Sequence, residues 1–124
     1  MPKKTYPSSL PYPFSAAVRS GNLLFVSGQV GMRDGKVAEG IEEQTRVTLE
    51  NIREVIAQAG GSLQNVVKMT VFLTDMSLWA KMNEVYREYF PNEPPARSSL
   101  GVNGLAQPEL LVEIECIAEL EDSS

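Results

Sequence analysis

Histidine is missing from the 124 residues, and cysteine occurs once. Without histidine there is no Ser–His or Cys–His nucleophile pair, no imidazole base and no histidine metal site. A single cysteine excludes an intrachain disulfide and a thiolate cluster. No apolar run approaches the ~20 residues that span a bilayer. Lys3 and Lys4 are not followed by the apolar stretch of a secretory signal, so a reduced, cytoplasmic compartment is the expectation. A basic cluster is also lacking. Eleven Lys and Arg stand against 16 Asp and Glu, a formal charge of −5. That balance disfavours both nucleic acid and anionic membrane surfaces as partners. Any chemistry falls to Arg, Lys, Asp, Glu, Ser, Thr, Tyr or backbone groups, or to a bound cofactor.

What is present reads as one domain over residues 1–124, with 43% hydrophobic and 22% charged residues and no repeat or linker. Pro2, Pro7, Pro11 and Pro13 make the first 14 residues an extended arm. Leu23, Leu24, Phe25 and Val26 follow a turn at Gly21 and Asn22 and form a buried strand ending at Ser27, Gly28 and Gln29. Asp34 and Gly35 signal a turn. Over residues 42–59, Thr45, Leu49, Ile52, Ile56 and Ala59 fall on one helical face, and Gly60 with Gly61 supplies a left-handed stop. Residues 66–74 are β-branched and aromatic with one charge, which predicts a central strand apolar on both faces. Thr74 or Asp75 can cap a second helix with an apolar stripe of Trp79, Met82, Tyr86 and Tyr89 or Phe90, ended by Pro91. Strands over residues 96–102 and 110–118 complete one mixed sheet. Two helices cover one face, so the other exposes Leu23 and Phe25 or Leu24 and Val26, and self-association is the natural way to bury it.

Two charged residues stand out. Arg97 opens a strand beside Ser98 and Ser99, where its planar fork can meet a carboxylate; the plainer alternative is a surface arginine or a structural ion pair. Glu113 lies between Val112 and Ile114, and carboxylates in apolar strands are uncommon unless paired or functional. A simple hairpin about Leu105 would set Arg97 opposite Glu113 as a plain salt bridge. Gly28 permits close approach to backbone N–H groups, or is an ordinary strand end. Cys116 reads as core, and Asn83 as a surface amide.

Together these segments resemble the Rid (YjgF/YER057c/UK114) family of reactive enamine/imine deaminases. The resemblance runs from about Pro13 to Ala118. It rests on Gly21, Asn22 and Phe25 to Gln29; on Gln44, Thr45, Leu49, Asn51, Ile52, Ala59 and Gly60; and on Val67, Lys68 and Thr70 to Leu73. It continues through Asn83, Tyr86 and Phe90; Pro95, Ala96, Arg97 and Ser98; and Val112 to Glu115 with Ile117 and Ala118. It implies an α+β, chorismate-mutase-like (YjgF-like) fold, a mixed sheet with two helices on one face. It also implies a homotrimer with a ligand cleft at each subunit interface. The implied core strand order, 1-4-2-3, keeps the last two strands apart, against the hairpin.

By the same resemblance Arg97 holds a substrate carboxylate and Glu113 orients or activates water. Phe14, Ser27, Gly28, Asn83 and Ser99 then line the ligand. The implied reaction hydrolyses small 2-imino acids, released by PLP-dependent dehydratases, to 2-keto acids and ammonia, with no metal or cofactor. Phe14 stands where the family often has Tyr, and Ser99 where it often has Cys, so a cleft hydroxyl is lost and a donor changed. The rival expectations are a non-catalytic carboxylate-binding regulatory or chaperone-like trimer, and a ribonuclease or translation inhibitor. The net charge and missing histidines oppose the latter.

Overall fold

The computed structural model describes residues 3–121. Eight strands and two helices follow in the order β1 (Lys4–Pro7), β2 (Ser15–Ser20), β3 (Leu23–Val30), β4 (Met32–Arg33), β5 (Lys36–Val37), α1 (Gly40–Gln58), β6 (Val66–Leu73), α2 (Trp79–Tyr89), β7 (Ala96–Gly101) and β8 (Val112–Glu119). Six strands form one mixed sheet in the order β1-β2-β3-β8-β6-β7, and β4 with β5 forms a separate hairpin. The core order β3-β8-β6-β7 is the 1-4-2-3 arrangement that the resemblance implies. No helix among the described residues is long and apolar enough to cross a membrane.

Local chemistry explains most boundaries. Gly21, at φ +60°, takes the first central position of the turn that pairs Ser20 with Leu23, as a two-residue hairpin of the II′ kind requires. Asp34 and Gly35 both adopt positive φ and join β4 to β5. Helix α1 stops where Gly60, at φ +86°, donates to Ala57 and Gly61 donates to Ile56, so two terminal carbonyls keep partners. The Asp75 carboxylate accepts from the Ser77 N–H at 2.9 Å and caps a short 3-10 turn leading into α2.

Both helices pack on one face of the sheet. Thr45, Leu49, Ile52 and Ile56 of α1 are buried there against Leu24 and Val26 of β3, Met69 and Val71 of β6, and Ile114 of β8. Each buried large aliphatic side chain contributes about 1.5–3 kcal/mol. Gln44 is buried among them. It donates to the Ala38 and Glu109 carbonyls and accepts from the Leu111 N–H, tying α1 to the approach to β8.

Several expectations change. Strand β2 pairs β1 with β3, and its polar SAAVRS sequence gave no apolar alternation to announce it. Part of the N-terminal arm is β1. Strand β6 is uniformly apolar toward the helices, whereas its other face is mixed, with Lys68 and Thr70 beside Phe72, all half-buried. The hairpin of Arg97 with Glu113 does not form, because β7 runs parallel to β6 and β8 lies on β6's far side. The open face carries Leu23 at 39% exposure and Phe25 at 44%, so the exposed pair is Leu23 and Phe25.

Candidate active site

Strand register divides the candidate residues into two groups. Arg97 pairs with Met69, and Ser99 with Val71, so both point to the helix-covered side of the edge strand β7. There the Arg97 Cζ lies 4.6 Å from the Tyr86 ring centroid and 5.9 Å from that of Trp79, both on α2. Asn83 lies four residues after Trp79 and three before Tyr86, which puts it on the same helix face. Among the described residues Arg97 forms no ion pair, and the Asn83 and Ser99 side chains make no hydrogen bond. The structural ion pair considered for Arg97 is therefore absent from the described chain.

Tyr86 is only 6% exposed, and its hydroxyl is buried with no hydrogen-bond partner among the described residues. Burial pushes the phenol up to about 12; the Arg97 charge, and after it a hydrogen-bonding contribution from the same side chain, pull the other way and are outweighed. The guanidinium meets the face of the ring, without hydrogen-bonding geometry to its hydroxyl. Phe90 backs Tyr86, the two ring centroids being 4.9 Å apart. Trp79, expected in the buried stripe, is instead 43% exposed beside Arg97.

The second group lies across the sheet. Glu113 pairs with Phe72 and Val30 on the open face. Between the Val26–Cys116 and Gln29–Ile114 pairs, Ser27 and Gly28 together oppose Glu115, a β-bulge. The bulge and the missing side chain of Gly28 make room for Glu113: a Cβ on Gly28 would sit 2.0 Å from Glu113 Oε2. The Ser27 hydroxyl donates to the Ser15 carbonyl at 2.6 Å and fixes the bulge to β2. Burial, and second the neighbouring Glu115 charge, hold the Glu113 carboxyl above the usual carboxylate range. Its side chain has no hydrogen-bond or ionic partner among the described residues.

Phe14 stacks on Tyr12 and lines, with Gly28, a groove of about 560 Å³ between the β1–β2 connection, β3 and α1. That groove reaches neither Arg97 nor Glu113, so chemistry and size of cavity point to different places. The charged groups carry the argument here, because an unpaired half-buried guanidinium and carboxylate need partners and an open groove does not. No group of three or more Asp, Glu or Cys among the described residues is placed to hold a metal ion.

One chain thus presents an arginine on the helix-covered side of the sheet and a carboxylate on the open side, neither of them ion-paired among the described residues. The class is a small mixed-sheet protein with two helices on one face. The family profile described as Endoribonuclease L-PSP matches residues 7–120. A mitochondrial protein of Schizosaccharomyces pombe, mmf2, is 48% identical over 109 residues, 86% of each chain. The chloroplastic Reactive Intermediate Deaminase A of Arabidopsis thaliana is 40% identical over 111 residues, 87% of this chain and 59% of that one. A Yersinia pestis structure described as the Rid family protein YyfA superposes with a TM-score of 0.89 at 36% identity, covering 96% of this chain and 100% of that one. The chain belongs to the Endoribonuclease L-PSP family, the group also called YjgF, RutC and Rid.

Proposed function

We propose that this chain hydrolyses reactive 2-imino acids, and their enamine tautomers, to 2-keto acids and ammonia. Its site is completed between copies, where the Arg97 side of one meets the Glu113 side of another in a homotrimer. The observation that carries this reading is Arg97, half-buried and lying over two rings, with no carboxylate partner among the described residues. The deaminase role of the family, and the plant relative named for that activity, support it.

The chemistry fits the side chains. Arg97 grips the substrate carboxylate through two parallel N–H donors. Glu113, its carboxyl held above the ordinary range, accepts a proton from water as the water oxygen bonds to the C=N carbon. Glu113 then returns that proton to the nitrogen of the resulting carbinolamine. Glu113 next takes the carbinolamine's hydroxyl proton as the C=O bond forms and passes it to the departing nitrogen; the C–N bond breaks, ammonia leaves, and a 2-keto acid remains. Much of the acceleration comes from holding one water and one electrophilic carbon together. Such imines are released by PLP-dependent dehydratases, which makes those enzymes functional partners.

The test couples a PLP-dependent threonine dehydratase to the protein and times 2-ketobutyrate release. Wild type should accelerate release. Arg97→Ala should lose about 10–100-fold in kcat/KM, the loss of a charge-assisted bidentate contact. Unchanged release with wild type, or full activity in Arg97→Ala, refutes the proposal. Phe14, which supplies no hydroxyl to its groove, favours a second reading, a carboxylate binder without turnover. Binding of 2-ketobutyrate with no acceleration would establish that reading, and RNA cleavage lost in Arg97→Ala would establish the endoribonuclease of the family description.

A further inference from the structure

We propose that Tyr86, with Trp79 beside it, is the positioning residue of the anion site: its ring holds the Arg97 guanidinium flat and aimed without neutralising it. This rests on the reading of Arg97 as the carboxylate clamp. An arginine on an edge strand has two ordinary ways to stay ordered, an ion pair or a hydrogen bond to an acceptor. Either would consume the charge that the ligand needs. Here the ordering contact is a ring, at 4.6 Å, and no carboxylate among the described residues takes up the charge of the fork. Trp79, at 5.9 Å, supplies a second ring, and its exposed flank lies at the rim.

The shelf itself is rigid. Tyr86 is buried, lies on the helix turn that also carries buried Met82 and Val85, and is packed by Phe90. Its hydroxyl does no hydrogen-bonding work within the described chain. The ring is therefore the functional part, and the phenol oxygen is dispensable to the clamp.

The experiment compares Tyr86→Phe, Tyr86→Leu and Trp79→Leu in the full-length protein, with two readouts. The first is turnover in the coupled assay on 2-iminobutyrate and on an imine lacking a carboxylate. The second is 2-ketobutyrate binding by calorimetry, which needs no turnover. Tyr86→Phe keeps the shelf and should stay within about twofold of wild type in both. Tyr86→Leu should raise KM for the acid and weaken 2-ketobutyrate binding about tenfold, with kcat little changed and the carboxylate-free imine unaffected. Trp79→Leu should show a smaller loss of the same kind. Equal loss on both imines, or a Phe variant as impaired as Leu, overturns the proposal. If wild type binds 2-ketobutyrate but turns nothing over, the deaminase reading fails while the binding arm still judges the shelf.

Discussion

Replacing Gly28 by alanine tests the placement of Glu113 directly. The new Cβ would stand 2.0 Å from Glu113 Oε2, 2.8 Å from Cδ and 3.1 Å from Cγ. A non-bonded carbon and oxygen keep roughly 3 Å or more apart, so the carboxylate must retreat by about 1 Å. It can do so, because it is the end of a half-buried side chain with no partner among the described residues to hold it. The stability cost is therefore small, and alanine's lower entropy in the unfolded chain offsets about 0.4–1 kcal/mol of it. The catalytic cost is not small: a 1 Å displacement of a reacting group costs about 100-fold. Gly28→Ala should thus melt within about 3 °C of wild type and lose about 100-fold in kcat for imine hydrolysis.

Gly31→Ala supplies the contrast. Its Cβ would meet the Gln44 Cβ at 2.5 Å and Cα at 2.6 Å, and the α1 backbone cannot swing aside. Overpacking of this kind costs about 1–3 kcal/mol, with about 4 °C of melting temperature lost per kcal/mol. Thermal melts and the coupled assay on the two variants separate the effects. A Gly28→Ala protein with wild-type kcat refutes the placement of Glu113 at the reacting water. One that melts as early as Gly31→Ala refutes the claim that this glycine serves the site.

The raised Glu113 carboxyl sets both a rate profile and a stability profile. Its ionised form is lost as pH falls through the raised value, so the acid limb of kcat/KM should lie above that of an ordinary glutamate. Glu115→Gln, by removing the second cause of the shift, should move that limb to lower pH; an unmoved limb refutes the assignment. For stability, a folded carboxyl that favours its proton stabilises below the unfolded value, and this stability is lost as pH rises through the folded one. Glu113→Gln should therefore melt above wild type at neutral pH, with the gap closing in acid. On the open face, Phe25→Glu would put a charge into the surface that the proposed trimer covers, so sedimentation should show a lighter species and the coupled assay a loss of turnover. An unchanged sedimentation coefficient removes that face from the assembly.

Local signals in the sequence were easy to read where one force dominates. The face of Thr45, Leu49, Ile52 and Ile56, and the stop at Gly60, are written in spacing and in backbone permissiveness, and all hold in the fold. The prominence of Arg97 and Glu113 was legible too, since Arg97 opens its strand and Glu113 interrupts the apolar pattern of its own. Their mutual position was not. Residues 102–111 can close a hairpin or carry the chain past β6, and only the packing of α2 decides; it makes β7 parallel to β6 and leaves β8 on the other side. Strand β2 lacked a signal because only Ala17 in it is buried, and its small residues carry no apolar alternation. Tyr86 and Trp79 read as core stripe from spacing alone, and only a guanidinium lying over them distinguishes a shelf from a filling.

The placement of Arg97 behind the sheet and Glu113 before it has a consequence for how such chemistry is rationed. On the proposed reading a solitary molecule is unarmed, since its grip and its proton acceptor face away from each other. Reactivity then belongs to the seam and not to the polypeptide, and it rises with abundance more steeply than the number of chains. Dilution would disarm the protein without unfolding it.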